Sequence, residues 1–207
     1  QPASARVTTG SITELVQRSN QTIADFKQQC LKLDDLTLGP GSYAFIPAAS
    51  SGLTMTTATG GHVLYFLDDA DADSVIQTPL IVSRDLIPWR ATTYAGEFGM
   101  AEKVLREDPG SGARTSLLRV EPGASLPWLS SSVVEEGFLL EGQYRHVECV
   151  NGTGVAGEYL PGGYFLRPAD TINGGAESEA LLPSVWYMRQ SGAGETTVVA
   201  ACQGAIP

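Results

Sequence analysis

Apolar residues along this chain fall in short runs rather than in helical stripes. Runs rich in aliphatic, aromatic and β-branched side chains cover residues 42–46, 62–67, 80–82, 115–120, 137–140, 164–166 and 197–201, with clusters of Gly, Pro, Ser, Asn and Asp between them. Bounded runs of this kind read as β-strands, because the flanking residues supply the positive or fixed φ that reverses the chain. Their regular spacing predicts an all-β barrel or sandwich. Helix formers occur in series only over residues 20–33 (Gln21, Ala24, Lys27, Gln28, Gln29), above a thin apolar stripe. That stretch is read as a helix or as a hairpin with a long loop.

The pattern repeats. Gly41-Ser42-Tyr43-Ala44-Phe45-Ile46-Pro47-Ala48 matches Gly162-Gly163-Tyr164-Phe165-Leu166-Arg167-Pro168-Ala169, with Gly, Tyr, Pro and Ala in register. A similar offset sets Thr13-Glu14-Leu15-Val16 beside Glu135-Glu136-Gly137-Phe138, and Asn20 beside Gly142. Duplication in an all-β chain predicts two similar barrels or half-barrels. We place the seam between Asp68 and Gly99 and divide the chain into residues 1–88 and 89–207. The acidic run from Asp68 to Asp73 begins like a calcium loop, but Ser74 stands at its glycine position and Leu80 at its bidentate glutamate position, so it reads as a solvated loop.

Composition narrows the function. The 207 residues carry 23 acids against 13 bases, a formal net charge of -10. That charge opposes binding to nucleic acid and anionic lipid. No apolar run approaches the roughly 18 residues of a membrane-spanning helix. The chain starts on Gln1 rather than Met and is poor in lysine, from which we expect an exported or organelle-targeted mature chain. Cys30, Cys149 and Cys202 show no CxxC spacing; at least one is unpaired, and a disulfide among them stays unassigned. Two glycosylation sequons begin at Asn20 and Asn151.

The second half resembles a cupin. The first cupin motif, G-x5-H-x-H-x3,4-E-x6-G, is matched in spacing by Gly123, Leu129, Ser131, Glu135 and Gly142. The second, G-x5-P-x-G-x2-H-x3-N, is matched by Gly162, Pro168, Asp170, Asn173 and Glu177. The first half keeps Gly41 and Pro47, with Ala49 and Gly52 at the next positions, and Val7, Thr9 and Glu14 at the first-motif ligand positions, offset by about one residue. Together the matches cover most of the chain, and the flank from Trp89 to Arg114 resembles the bicupin group related to the cupin domain of the anti-sigma factor ChrR. The resemblance implies an all-β chain of two cupin-like jelly-roll β-barrel units, the N-terminal one degenerate.

The turn residues survive and the metal ligands do not. A three-histidine, one-glutamate cage has become Leu129, Ser131, Asn173 and Glu135, and only the carboxylate among these holds a first-row metal well. We therefore expect no metal and no cofactor. His62 and His146 fall in different units and read as packed or surface histidines. His146 and Cys149, three apart on a strand, should face opposite ways, as should Glu135 and Glu136. No Gly-x-Ser-x-Gly elbow is present. Aromatic residues Trp128, Phe138, Tyr144, Tyr164, Trp186 and Tyr187 gather around the second barrel; Ser131, Glu135, Asn173, Trp128 and Tyr144 are the candidate ligand-pocket residues. These features favour a non-catalytic structural or interaction subunit of a larger assembly or homo-oligomer. The alternatives are a small-molecule binding module in the emptied barrel and an enzyme with metal-independent chemistry at Glu135. A closed apolar barrel would favour the first, an open cavity near Glu135 the second.

Overall fold

A computed structural model describes residues 4–6, 11–12, 31–33, 36–38, 41–47, 54–56, 64, 66–68, 76, 78–92, 99–124 and 126–202. The chain divides into two compact units, Gln1–Ile87 and Pro88–Pro207. In the first, β1 (Ser4–Arg6), β3 (Leu31–Leu33), β4 (Leu36–Leu38) and β6 (Thr54–Thr56) form a four-stranded sheet in the order β1-β6-β3-β4. Two further pairs are β2 (Ser11–Ile12) with β7 (Leu67–Asp68), and β5 (Ser42–Phe45) with β8 (Leu80–Ser83). Tyr43, Phe45 and Ile46 are buried in this unit.

The second unit carries one ten-stranded antiparallel sheet. Its strands are β9 (Arg90–Ala91), β10 (Met100–Glu107), β11 (Arg114–Val120), β12 (Trp128–Ser131), β13 (Glu135–Val150), β14 (Thr153–Tyr159), β15 (Tyr164–Arg167), β16 (Ile172–Gly174), β17 (Glu179–Gln190) and β18 (Thr196–Val198). The order is β18-β12-β16-β13-β17-β11-β10-β9, and β14 and β15 also pair with β13. The 16-residue β13 is the spine. Its first residues pair with β15, its last with β14, and β17 runs along most of it. Asn151 and Gly152 join β13 to β14 with φ of 51° and 75°. That is the two-residue hairpin turn that Asn-Gly favours.

Irregularity in β13 decides what faces inward. From Glu135 to Leu139 the odd-numbered residues are buried. The pairing with β17 then shifts register three times between Leu139 and Tyr144. Gly142 sits in this stretch at φ 93°, where a Cβ would strike the Pro183 carbonyl and Ser184, so only glycine fits. The buried Ser184 hydroxyl donates to the backbone carbonyls of Gln143 (3.1 Å) and Leu182 (2.7 Å). Beyond the shift the inward parity is reversed, and Tyr144 and His146 point into the unit. Ser178, fully buried, holds the reversed segment: its Oγ accepts from Val147 N at 2.9 Å and donates to Gly174 O at 2.8 Å.

The core gathers Met100, Val120, Leu139, Tyr144, Phe165 and Trp186. Glycine also fixes the β13–β15 register. Gly137 lies opposite Phe165, and a Cβ there would collide with the phenyl ring.

The sequence expectations need three corrections. Of residues 20–33, read as a helix or as a hairpin with a long loop, Leu31–Leu33 form strand β3 and not helix, and the others lie outside the described residues. Among the described residues of the run 62–67, Leu67 falls in a strand and Leu64 and Phe66 are outside any element, because a short apolar run signals burial as readily as extension. The run 197–201 ends as a strand at Val198. Asn20, Cys30, His62, the acidic run after Asp68, and the first-half positions Val7, Thr9, Glu14, Ala49 and Gly52 lie outside the described residues.

Candidate functional site

A half-enclosed cavity opens inside the second unit, with about 60 Å³ available to the centre of a water molecule. At roughly 10–15 Å³ per water, that is room for a short row of waters or for a small organic molecule. Met100, Leu118, Val120, Leu126, Trp186 and Met188 supply apolar wall. Ser131, Glu135, Tyr144, His146, Arg167 and Asn173 bring polar groups to the same space.

The strands explain how these side chains meet. Leu129 and Ser131 lie two apart on β12 and face one way, and Leu129 is the register partner of Asn173 on β16. Glu135 begins β13, and its register partner on β15 is Arg167. On β15 the alternation is inverted relative to hydrophobicity: Leu166 is 54% exposed, while Arg167 is only 6% exposed. Phe165 sets that parity by packing into the core, so Arg167, two residues on, follows it inward. Pro168 keeps Arg167 extended. The following turn is closed by Asp170 at φ 65°, whose N–H donates to Ser131 O at 2.7 Å. Asp170 thus takes the left-handed conformation of the motif glycine it replaces, which aspartate tolerates better than most residues.

The polar cluster is partly paired. Gln190 Nε2 donates to Glu135 Oε1 at 3.1 Å, and Arg167 Nε donates to Glu148 Oε1 at 2.8 Å. The Arg167 guanidinium lies over the Phe165 ring, 3.5 Å from its centroid. The His146 imidazole stacks on the same Phe165, with centroids 6.2 Å apart and planes 11° apart. Asn173 hydrogen-bonds His146. Within this cluster three buried atoms have no hydrogen-bond partner: Tyr144 Oη, His146 Nε2 and Arg167 Nη2. His146 Nε2 comes within 3.5 Å of Glu148 Oε1 without meeting hydrogen-bond geometry. A buried polar atom left so forgoes about 1–3 kcal/mol.

Burial sets the protonation states. It holds His146 well below the usual imidazole pKa; repulsion from Arg167 adds to this, and the hydrogen bond with Asn173 opposes it. The ring is therefore neutral near pH 7. Burial raises the Glu148 pKa, against the pull of Arg167. It also pushes the Tyr144 hydroxyl up, so that group stays protonated and can donate.

Of the predicted pocket residues, Ser131, Glu135, Asn173 and Tyr144 line the cavity, as does Leu129. Trp128 does not: its ring packs where Cβ atoms on Gly154 and Gly175 would sit. Trp186 lines the cavity, whereas Tyr164 is 47% exposed and donates to Glu136 on the outer face. Glu135 and Glu136 face opposite ways, Glu136 accepting from Arg189 at 2.6 Å. His146 is a correction in part. It is packed, but it is also part of the cavity wall. Cys149 points the other way and forms a disulfide with Cys202. Arg167 and Glu148 were not anticipated.

A transition metal does not fit this donor set. The four cupin ligand positions offer one alkyl group, one hydroxyl, one amide and one carboxylate, and that carboxylate is engaged by Gln190. The Arg167 guanidinium on the same wall repels a dication. Among the described residues no group of three or more His, Cys, Asp or Glu side chains could hold a metal ion.

Neither a protein-family profile nor a curated protein matches the chain. Solved structures do. A candidate dioxygenase from Nostoc punctiforme PCC 73102 aligns with a TM-score of 0.63 at 16% identity, covering 96% of this chain and 70% of that one. The 7S globulin of Momordica charantia aligns at 0.59 with 10% identity, covering 96% and 75%. A candidate glyoxylate-induced protein from Pseudomonas aeruginosa aligns at 0.55 with 14% identity, covering 96% and 69%. These likenesses concern the fold alone.

Proposed function

We propose, from the all-β jelly-roll fold that this chain shares with cupins, that the C-terminal unit is a non-catalytic binding module that holds a small organic molecule in its barrel without a metal. One observation carries the reading: Tyr144, His146 and Arg167, each with a buried polar atom that has no partner, all line one half-enclosed cavity whose remaining wall is largely apolar. Buried polar groups are nearly always satisfied, so a set of orphans around one space is accounted for by an occupant that satisfies them. The inversion on β15 supports it, since a guanidinium is buried on the cavity wall while its leucine neighbour is exposed, against the usual preference of both.

A second reading is the structural or interaction subunit. The edge strand β14 is exposed along nearly its whole length, and Leu160, Tyr164, Leu166 and Leu182 are exposed apolar side chains in the same unit. An edge and apolar surface of this kind can pair with another chain. The two-unit bicupin organisation and the relation to the ChrR-like group are part of the same proposal, supported by the repeat of Gly41–Pro47 at Gly162–Pro168.

Native mass spectrometry with elemental analysis, on protein purified gently from its source, tests the readings. Binding predicts a small organic mass released on unfolding and no stoichiometric first-row metal. A bound transition metal at one per chain overturns it. A ligand-free complex with other proteins would favour the second reading instead.

A further inference from the structure

The charges on the cavity wall define the kind of molecule that fits it, given that the cavity is a binding site as proposed above. We propose that the ligand carries one ammonium group on a small apolar body, and that the Glu135 carboxylate receives that group.

Glu135 opens β13 and faces inward with Gly137 and Leu139. It is 8% exposed and lines the cavity. Gln190, its register partner on β17, donates to Oε1 at 3.1 Å. Among the described residues no basic side chain comes within ion-pair distance of it. Other packed acids of this unit have such partners: Asp108 meets Arg106 at 3.1 Å, Glu102 meets Arg114 at 2.7 Å and Glu136 meets Arg189 at 2.6 Å. The register shows why Glu135 differs. Arg167 lies opposite it on β15, but turns to Glu148, to which Nε donates at 2.8 Å, and lays its guanidinium over the Phe165 ring. Its charge is balanced there. His146 is neutral and adds none. Two carboxylates thus stand beside one guanidinium, and the excess negative charge is that of Glu135. A buried ion without a counter-charge is costly. An occupant that brings one positive charge supplies the missing partner.

Other ligand classes fit less well. A carboxylate would add a third negative charge. An alcohol can donate to Glu135 but leaves its charge unmatched. A first-row dication needs several converging donors beside the carboxylate, and the wall lacks them. An ammonium needs one carboxylate, with which it makes a charge-assisted hydrogen bond. Its remaining N–H groups reach water through the open side of the half-enclosed cavity. The apolar body packs on the wall of Met100, Val120, Trp186 and Met188. The formal net charge of -10 draws cations to the chain as a whole.

The test compares three probes built on one ring: cyclopentylammonium, cyclopentanol and cyclopentanecarboxylate. Dissociation constants come from ligand-detected NMR titrations of the full chain near pH 7. The ammonium should bind about tenfold or more tighter than the alcohol, the gain expected when a hydrogen bond joins two charged groups, and the carboxylate should bind weakest. Glu135→Gln keeps the shape of the side chain and removes its charge. It should weaken cyclopentylammonium about tenfold and leave cyclopentanol nearly unchanged. The three-probe ranking in the wild-type chain stands as a test even if that variant fails to fold. Alcohol or carboxylate binding as tight as the ammonium, or an unchanged ammonium affinity in folded Glu135→Gln, overturns the ligand class while the binding site itself stands. Saturable binding of none of the three overturns the binding-module reading along with it.

Discussion

Replacing His146 with Gln removes a buried titrating group from the cavity wall, and the expected change can be worked out beforehand. The groups facing this imidazole are Arg167 from β15, Glu148 from its own strand, and Tyr144 and Tyr159 at ring-contact distance. Burial and Arg167 hold its folded pKa well below the usual 6.5. The unfolded chain therefore takes a proton near pH 6.5 that the folded chain refuses. The unfolded state binds more protons in that window, so stability is present above pH 6.5 and lost as pH falls towards the folded pKa. One such proton amounts to about 1.4 kcal/mol between pH 7.5 and 5.5. Glu148 works the other way. Its raised pKa contributes stability that is fully present below its unfolded pKa and lost as pH rises through the folded one, and it is common to both proteins. Urea unfolding of wild type and His146→Gln at the two pH values isolates the histidine. Wild type should lose about 1.4 kcal/mol more than the variant on going from pH 7.5 to 5.5. Equal losses would refute the buried, neutral histidine and the electrostatic account built on it.

Three further predictions concern the frame of the site. The disulfide between Cys149 and Cys202 spans 53 residues, and loop-closure entropy gives about 4 kcal/mol for a cross-link of that length. A Cys149→Ser/Cys202→Ser double variant should lose up to that amount in denaturant unfolding, and an unchanged midpoint would contradict the assignment. Gly137→Ala forces the Phe165 ring out of its place against His146 and Trp186. It should cost about 1–3 kcal/mol and weaken the near-UV circular dichroism, whereas full retention of both would show that the β13–β15 register is not fixed by this glycine. Tyr144→Phe removes a buried hydroxyl without a partner, so the ligand-free protein should be unchanged or gain up to about 1 kcal/mol; a loss of 2 kcal/mol or more would mean that the hydroxyl is satisfied within the protein.

The turns of the second unit were legible in the sequence, because glycine at a turn reports a backbone requirement directly. Gly123 and Gly162 both adopt positive φ at turns. Four spaced positions, Leu129, Ser131, Glu135 and Asn173, converge on one cavity as the motif spacing implied. His146 was read without its cavity role because His62, the other histidine, falls in the other unit. Strict alternation from Glu135 would not have recovered it, since the register shifts around Gly142 reverse the parity, and a glycine inside a long strand is the signal of such a shift. Arg167 was overlooked as the neighbour of a motif proline. Alternation from Phe165 places it inside, but a charged residue is assigned to solvent by default. The disulfide needed the fold, since three cysteines allow three pairings and only the placement of Cys202 after β18 selects one.

The central claim is that the barrel cavity of the C-terminal unit takes a small ligand. Met100 and Met188 line it. Titrating methyl-¹³C-methionine protein with cyclopentanone, a small apolar probe, reads the cavity directly. The account predicts saturable shifts of the Met100 and Met188 methyl signals. Signals that stay fixed at both methionines up to the solubility of the probe would contradict it.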